Sequence, residues 1–224
     1  MKKFVSVLCI ILSFLIVNLP VSANSNVVFS KGNGDDKRIA LTFDDGPHPR
    51  YTKKILEILD KYNVKATFFV IGVNIENYPE TLKSIYEHGH EIGNHSYDHS
   101  NEKYIDSCNA ELEIKKCELL IYRELNITPK VFRPPQGQYS KALENVAIAN
   151  NYSIILWSID TKDWEHNPAT SIYKTVTSNV QGGDIILMHD YTSGKNTTCD
   201  ALELIIPDLL SKGYTFVTVS DLIQ

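Results

Sequence analysis

Strand-like apolar runs and amphipathic helical stretches alternate about seven times along this chain, and that alternation constrains the fold more than any other feature. Runs at 38–43, 66–71, 91–94, 131–133, 153–158, 184–188 and 214–219 read as strands, each short, apolar and bounded by turn formers. Between them the segments 52–62, 79–88, 102–125, 140–150, 168–180 and 199–212 read as helices. In the first helix Ile55, Ile58, Leu59 and Tyr62 fall on one face, Gly89 can end the second, and Pro207 is expected to bend the last. Such alternation implies an α/β fold with a parallel sheet.

The reactive residues separate a barrel from an open sheet. Asp44 and Asp45 follow the first strand, His95 the third, Arg133 the fourth, Asp160 the fifth and His189 the sixth. Residues at the C-terminal ends of so many strands converge if the strands close into a ring, whereas an open doubly wound sheet gathers its site near one switch point. The expectation is a distorted (β/α) barrel with about seven parallel strands, formed by residues 38–224 as one domain.

Ahead of it, Lys2 and Lys3 precede an apolar run over 4–17 and the small residues that end at Ala23, which reads as a secretory signal peptide over 1–23. Left uncut, the same segment would be a membrane anchor. Cys9 lies too early in the run to mark a lipid-attachment site. Residues 24–37 are polar and glycine-bearing and read as a loose leader. Cleavage after Ala23 removes two lysines and no acid, moving the formal charge from −5 to −7. An acidic secreted domain has no electrostatic reason to seek nucleic acid or anionic lipid. Cys108, Cys117 and Cys199 remain, an odd number that argues against a disulfide framework, although one bridge with a free thiol stays open. The sequence shows no repeat and no low-complexity tract.

Two stretches carry the chemistry: Leu41-Thr42-Phe43-Asp44-Asp45-Gly46-Pro47 and His95-Ser96-Tyr97-Asp98-His99. On a helical turn, His95 and His99 would share a face and could point at one ion. Two imidazoles and one carboxylate make three protein ligands and leave positions open, as catalytic metal sites do and structural ones do not. The other carboxylate is then free to act as a base. Alone, Asp-Asp-Gly-Pro is an ordinary turn and a histidine pair ordinary surface; together they point to a site. Asp98 lies off the shared face. His48, His88, His90 and His166 read as loop or surface residues without a role. An Asp/His/His set suits Zn²⁺ first, with Co²⁺, Ni²⁺ or Fe²⁺ also accommodated.

From Arg38 onward these residues resemble the polysaccharide deacetylases, carbohydrate esterase family 4, whose domain is a distorted (β/α) barrel. Thr42-Phe43-Asp44-Asp45-Gly46-Pro47 is similar to the family's first motif, and the resemblance makes Asp44 the catalytic base and Asp45 a metal ligand. His95-Ser96-Tyr97-Asp98-His99 resembles the second, making His95 and His99 the other ligands. Arg133-Pro134-Pro135-Gln136-Gly137 resembles the third, implying that Arg133 orients the base and that a backbone N–H at Gln136 stabilises an oxyanion. Gln136 stands where many relatives carry Tyr, a departure that touches the groove wall more than the chemistry. Asp160-Thr161-Lys162-Asp163-Trp164 resembles the fourth motif, implying that Asp160 holds Arg133 and Trp164 walls the groove. Leu187-Met188-His189 resembles the fifth, implying that Leu187 lines an acetyl pocket and His189 is the general acid.

The implied activity is metal-dependent removal of acetyl groups from an N-acetylated polysaccharide outside the cell, peptidoglycan first. Chitooligosaccharide deacetylases and O-acetyl xylan esterases share these motifs, so the substrate stays open. A reading of another class is a carbohydrate-binding barrel without catalysis, against which the complete set of Asp44, His189 and three ligands speaks. A third is a metal-dependent amidohydrolase acting on a small molecule. An open groove floored by Trp164, rather than a closed pocket, separates it from the first.

Overall fold

The computed structural model describes residues 27–100, 107–194 and 196–224, with nothing described of the Ser107 side chain. The signal-peptide and anchor readings of 1–23 lie outside the described residues. Among these, no helix is long and apolar enough to cross a membrane.

The sheet is built on β2 (Arg38–Gly46), buried from Ile39 through Asp44 as a parallel strand covered on both faces must be. It pairs in parallel with β3 (Thr67–Val70) on one side and β8 (Ile185–His189) on the other, and its start pairs with β9 (Thr215–Phe216). Beyond β3 come β4 (Glu91–Asn94), β5 (Val131–Phe132), β6 (Ser153–Ile155) and β1 (Val28–Phe29); beyond β8 lies β7 (Ile159–Asp160). The named strands all pair in parallel.

Strands β6 and β7 stand six steps apart in this order, yet only residues 156–158 separate them in the chain. Laid flat, six steps would span about 29 Å. The four Cα steps from Ile155 to Ile159 reach at most about 14 Å. The sheet must curl until its flanks meet, and the result is a distorted (β/α) barrel. One stretch of chain closes it, pairing with β5 in its first half and with β8 in its second. The single fifth strand expected over 153–158 is thus split, because Pro134 and Pro135 have no N–H with which to extend the β5 ladder.

Alternation along each strand then decides what faces inward. Leu41 and Phe43 of β2, Phe68 and Val70 of β3, and Ile186 and Met188 of β8 point out into the main core, against helices α1 (Tyr51–Tyr62), α6 (Ala169–Thr177) and α7 (Thr198–Ser211). Ala40, Phe69, Val131, Ile155 and Ile185 point in and fill the lumen, closed at its foot by Val219 and Leu222 of α8 (Val219–Leu222). Inward positions at the other end of the same strands are Thr42 and Asp44, Arg133, Leu187 and His189. The site is the upper layer of the barrel interior. Two more helices, α3 (Pro79–Glu87) and α4 (Ser107–Leu125), pack outside β4, α5 (Lys141–Ala149) packs by β6, and Pro207 lies inside α7.

Three expectations change. From Val27 onward the segment read as a leader is anchored, not loose: Ile154 N–H donates to Val27 O at 2.6 Å, Gly32 N–H donates to Gly183 O at 2.8 Å, and Lys31 pairs with Asp184 at 2.9 Å. A short helix, α2 (Gly72–Asn77), starts directly from β3, where no break in the sequence announced it. His90 is buried against Phe68, and burial pushes its imidazole down to about 4. Among the described residues no disulfide joins Cys108, Cys117 or Cys199.

Candidate active site

Asp44 ends the inward column Ala40–Thr42–Asp44 and meets a fully buried arginine. Arg133 Nη1 donates to Asp44 Oδ1 at 2.7 Å and to Thr42 Oγ1 at 2.7 Å. Its Nη2 donates to Leu156 O at 3.0 Å and its Nε to Ile155 O at 3.3 Å. Those are carbonyls beside the proline break, so the guanidinium substitutes for the ladder that Pro134 and Pro135 interrupt. Phe69 lies flat beneath it, 4.2 Å from ring centre to Cζ. Removing a charge from water costs several kcal/mol, which only an ion pair backed by further hydrogen bonds offsets; Arg133 has its pair with Asp44 and three more bonds. Asp160, expected to hold Arg133, does not: its Oδ1 accepts from Lys162 N–H at 2.9 Å, and the carboxylate paired with the arginine is Asp44. Asp160 does line the cleft.

Asp45 sits one residue further, in the left-handed region at φ 75°, which turns its side chain away from that of Asp44. Its Oδ1 lies 3.5 Å from His95 Nε2 and 3.4 Å from His99 Nε2. The helical turn expected over 95–99 is absent: Ser96 at φ 72° and His99 at φ 60° break it into a loop. The loop brings the rings together all the same, their centres 5.0 Å apart. It is held by its own backbone, with Ser96 N–H donating to Asn94 Oδ1 at 2.9 Å and Gly72 N–H to Ser96 O at 3.0 Å. Asp98 stays outside the cluster, its Oδ1 accepting from Ser100 N–H at 3.0 Å.

The three donors fit a divalent ion. They lie within 4.8 Å of one another. Two ligands at about 2.1 Å, subtending a tetrahedral angle, would stand about 3.4 Å apart. Asp45 Oδ1 is buried without a hydrogen-bond partner, a costly state for a carboxylate that a cation would relieve. His95 Nδ1 pairs with the Arg133 carbonyl at 2.7 Å, which assigns the proton to Nδ1 and leaves the Nε2 lone pair facing Asp45. Burial pushes the His95 imidazole down despite Asp44 and Asp45 nearby, so it is neutral, as a ligand must be.

Across the rim, His189 Nδ1 meets Asp163 Oδ1 at 2.8 Å. Asp163 is buried, and its other oxygen accepts from His189 N–H at 2.8 Å and Thr198 Oγ1 at 2.7 Å. Burial alone would lower the His189 imidazole; the Asp163 bond and the charges of Asp163, Asp44 and Asp45 outweigh it and raise it to about 9. Asp163, three positions after Asp160 in the same motif, is the acid that meets His189, and the sequence pattern alone does not single it out.

Between these groups opens a cleft of about 420 Å³, lined also by Gln136, Trp157, Trp164 and Leu187. Trp164 is half exposed, a wall and not core. Gln136 lies at φ 56° in the left-handed region, and its N–H donates to no acceptor among the described residues. Gly137 follows at φ 68°, where a Cβ would come within 2.7 Å of Trp157, so the loop and the Trp157 ring fit only with glycine there. Trp157 went unnoticed in sequence because it falls inside what reads as one continuous strand.

The upper layer of the barrel thus joins a carboxylate held by an arginine, a carboxylate–imidazole–imidazole set that can take an ion, and a histidine paired with its own acid: the groups of a hydrolytic site. The family model described as polysaccharide deacetylase matches residues 31–155, more than half of the chain. A Bacillus cereus peptidoglycan-N-acetylglucosamine deacetylase is 41% identical over 187 residues, covering 83% of this chain and 68% of that protein. Among solved structures, the Bc1960 peptidoglycan N-acetylglucosamine deacetylase superposes with a TM-score of 0.86 at 38% identity, over 89% of this chain and 94% of that one. A family 4 acetyl xylan esterase from Clostridium thermocellum, in complex with a cobalt ion, gives 0.76 at 37% identity, over 83% of this chain and 90% of that one. The chain belongs to the polysaccharide deacetylase family.

Proposed function

We propose that this chain is a secreted, metal-dependent deacetylase that hydrolyses the acetamide of N-acetylated sugars in peptidoglycan, releasing acetate and leaving a free amine. The observation that carries it is the partnerless Asp45 Oδ1 set between His95 and His99, beside a second carboxylate that stays outside the set. A divalent ion held by Asp45, His95 and His99, Zn²⁺ first among those suited, would supply the Lewis acidity that activates water and polarises an amide carbonyl.

The remaining chemistry belongs to the chain's own side chains. Arg133 occupies Asp44 Oδ1, and Oδ2 faces the site 3.7 Å from His95 Nε2, placed to take a proton from the attacking water. The Gln136 N–H is free to donate to the developing oxyanion. His189, held protonated by Asp163, gives its proton from Nε2 to the departing amine. Leu187 offers a small apolar wall for the acetyl methyl, and Trp164 a flat face for a sugar ring. The B. cereus relative's name supports peptidoglycan, and the N-terminal residues 1–23 support export.

The test is acetate release by the purified chain from peptidoglycan, chitooligosaccharides and acetyl xylan, before and after chelation. Release from peptidoglycan should stop on metal removal and return with Zn²⁺ or Co²⁺. Asp44→Asn should keep the ion and lose at least about 10²-fold in kcat, while Asp45→Ala should lose the ion. Undiminished release by metal-stripped protein would sink the metal assignment. Release from acetyl xylan alone would favour the esterase reading, which the acetyl xylan esterase's likeness supports. Protein recovered from outside the cell should begin at Asn24.

A further inference from the structure

We propose that Asp190 is a positioning residue for the Asp45 ligand: wedged against Gly46 and tied to Thr52, its carboxylate fixes the strand end that aims Asp45 at His95 and His99. The inference rests on the metal-site reading above and concerns a residue to which that reading gives no part.

Asp190 follows His189, so its side chain points away from the cleft, behind the end of β2, and is fully buried there. Its N–H donates to Asp44 O at 3.2 Å. Its Oδ2 accepts from Thr52 Oγ1, which in turn accepts from His48 N–H at 2.8 Å, so the first turn of α1 and the loop after Pro47 are bound into the same cluster. His48 closes that turn by accepting at Nδ1 from Arg50 N–H and Tyr51 N–H, both at 3.2 Å. A Cβ on Gly46 would overlap both carboxylate oxygens of Asp190. The carboxylate therefore rests directly on the backbone next to Asp45. On the other side, Asn74 Nδ2 donates to Asp45 O at 2.7 Å. The left-handed Asp45 is gripped between them.

Stability does not account for an acid here. Asp190 Oδ1 is buried with no hydrogen-bond partner among the described residues. A buried carboxylate with one bond adds little to folding, and an apolar group of the same volume would be cheaper to bury. What the group holds in place explains it better. Residues kept against local preference cluster where geometry serves a site.

The test titrates metal-free full-length protein with Co²⁺, reading affinity and the visible absorption of the bound ion, with thermal melting in chelator as the control for folding. Asp190→Ala should weaken Co²⁺ binding by about 10–100-fold, the range for groups that orient a ligand, and alter the absorption bands, with the melting temperature of the metal-free protein little changed. Asp190→Asn, which keeps the shape and the bond from Thr52, should return affinity to within a few-fold of wild type. Thr52→Val should weaken binding in the same direction as Asp190→Ala, and decides the matter if that variant does not fold. Wild-type affinity and absorption in Asp190→Ala and Thr52→Val would overturn the proposal, as would an Asn variant as weak as Ala. A wild-type chain that binds no Co²⁺ would overturn the metal reading itself, and this proposal with it.

Discussion

At His189 two opposing influences meet. Burial lowers the imidazole, and the Asp163 bond with the charges of Asp163, Asp44 and Asp45 together raises it further, to about 9 from an ordinary 6.5. The protonated form then dominates at neutral pH, as the proton-donating role proposed for it requires. Activity should hold up to about pH 9 and fall as His189 loses its proton above that. Asp163→Asn should bring the basic limb of the kcat profile down by at least about one unit and lower kcat by about 10–100-fold; a limb that stays put would free Asp163 of this role. Linkage has the same sign. A histidine raised in the folded state adds stability that is fully present below about 6.5 and is lost as pH rises through about 9. Which acid of Asp160-Thr161-Lys162-Asp163 does this was not legible in the sequence. Both lie near the rim, and only the folded chain shows that carbonyls of 155 and 156 already occupy the arginine. The cluster of Asp45, His95 and His99 was legible because residue type pointed to it, although the shared helical face expected for the two histidines is absent: the backbone reaches the same convergence with two left-handed residues.

Among the elements, β4 is the one read most closely, and its glycine carries a constraint the sequence did not reveal. Gly93 faces inward, and a Cβ there would overlap the Phe69 ring and come within 3.1 Å of Val131 Cγ2. Phe69 has little room to retreat, because Arg133 is stacked over its ring. Gly93→Ala should destabilise by roughly 1–3 kcal/mol, the usual cost of overpacking, lowering the melting temperature by about 2–4 °C per kcal/mol. A double-mutant cycle with Phe69→Leu should recover at least about 0.5 kcal/mol as coupling. An unchanged melting temperature would show that the lumen has slack. The long strands and helices were legible from apolar runs and helical periods. β1 was not, since two residues of strand in a polar segment carry no period, and neither was α2, which begins on Gly72 without a capping residue.

For the molecule as a whole, closure depends on the stretch that changes partners between Ile155 and Ile159, and β1 secures its first half. Val27 and Phe29 carbonyls accept from Ile154 and Leu156 N–H at 2.6 and 2.7 Å, and Leu156 O in turn receives Arg133. A chain starting at Lys31 should therefore melt several degrees below one starting at Val27, roughly what a loss of 1–3 kcal/mol implies, and release acetate more slowly. Equal melting and equal rates would make β1 dispensable. Where the closing stretch leaves β5 for β8, the barrel wall stops short of the rim, and Gln136, Trp157 and Asp160 stand around the gap. The mouth is for that reason a notch and not a well. A glycan, the substrate proposed above, could then be laid into it sideways, like a rope over a cleat, which would leave sugars in the middle of a strand as reachable as those at its tips.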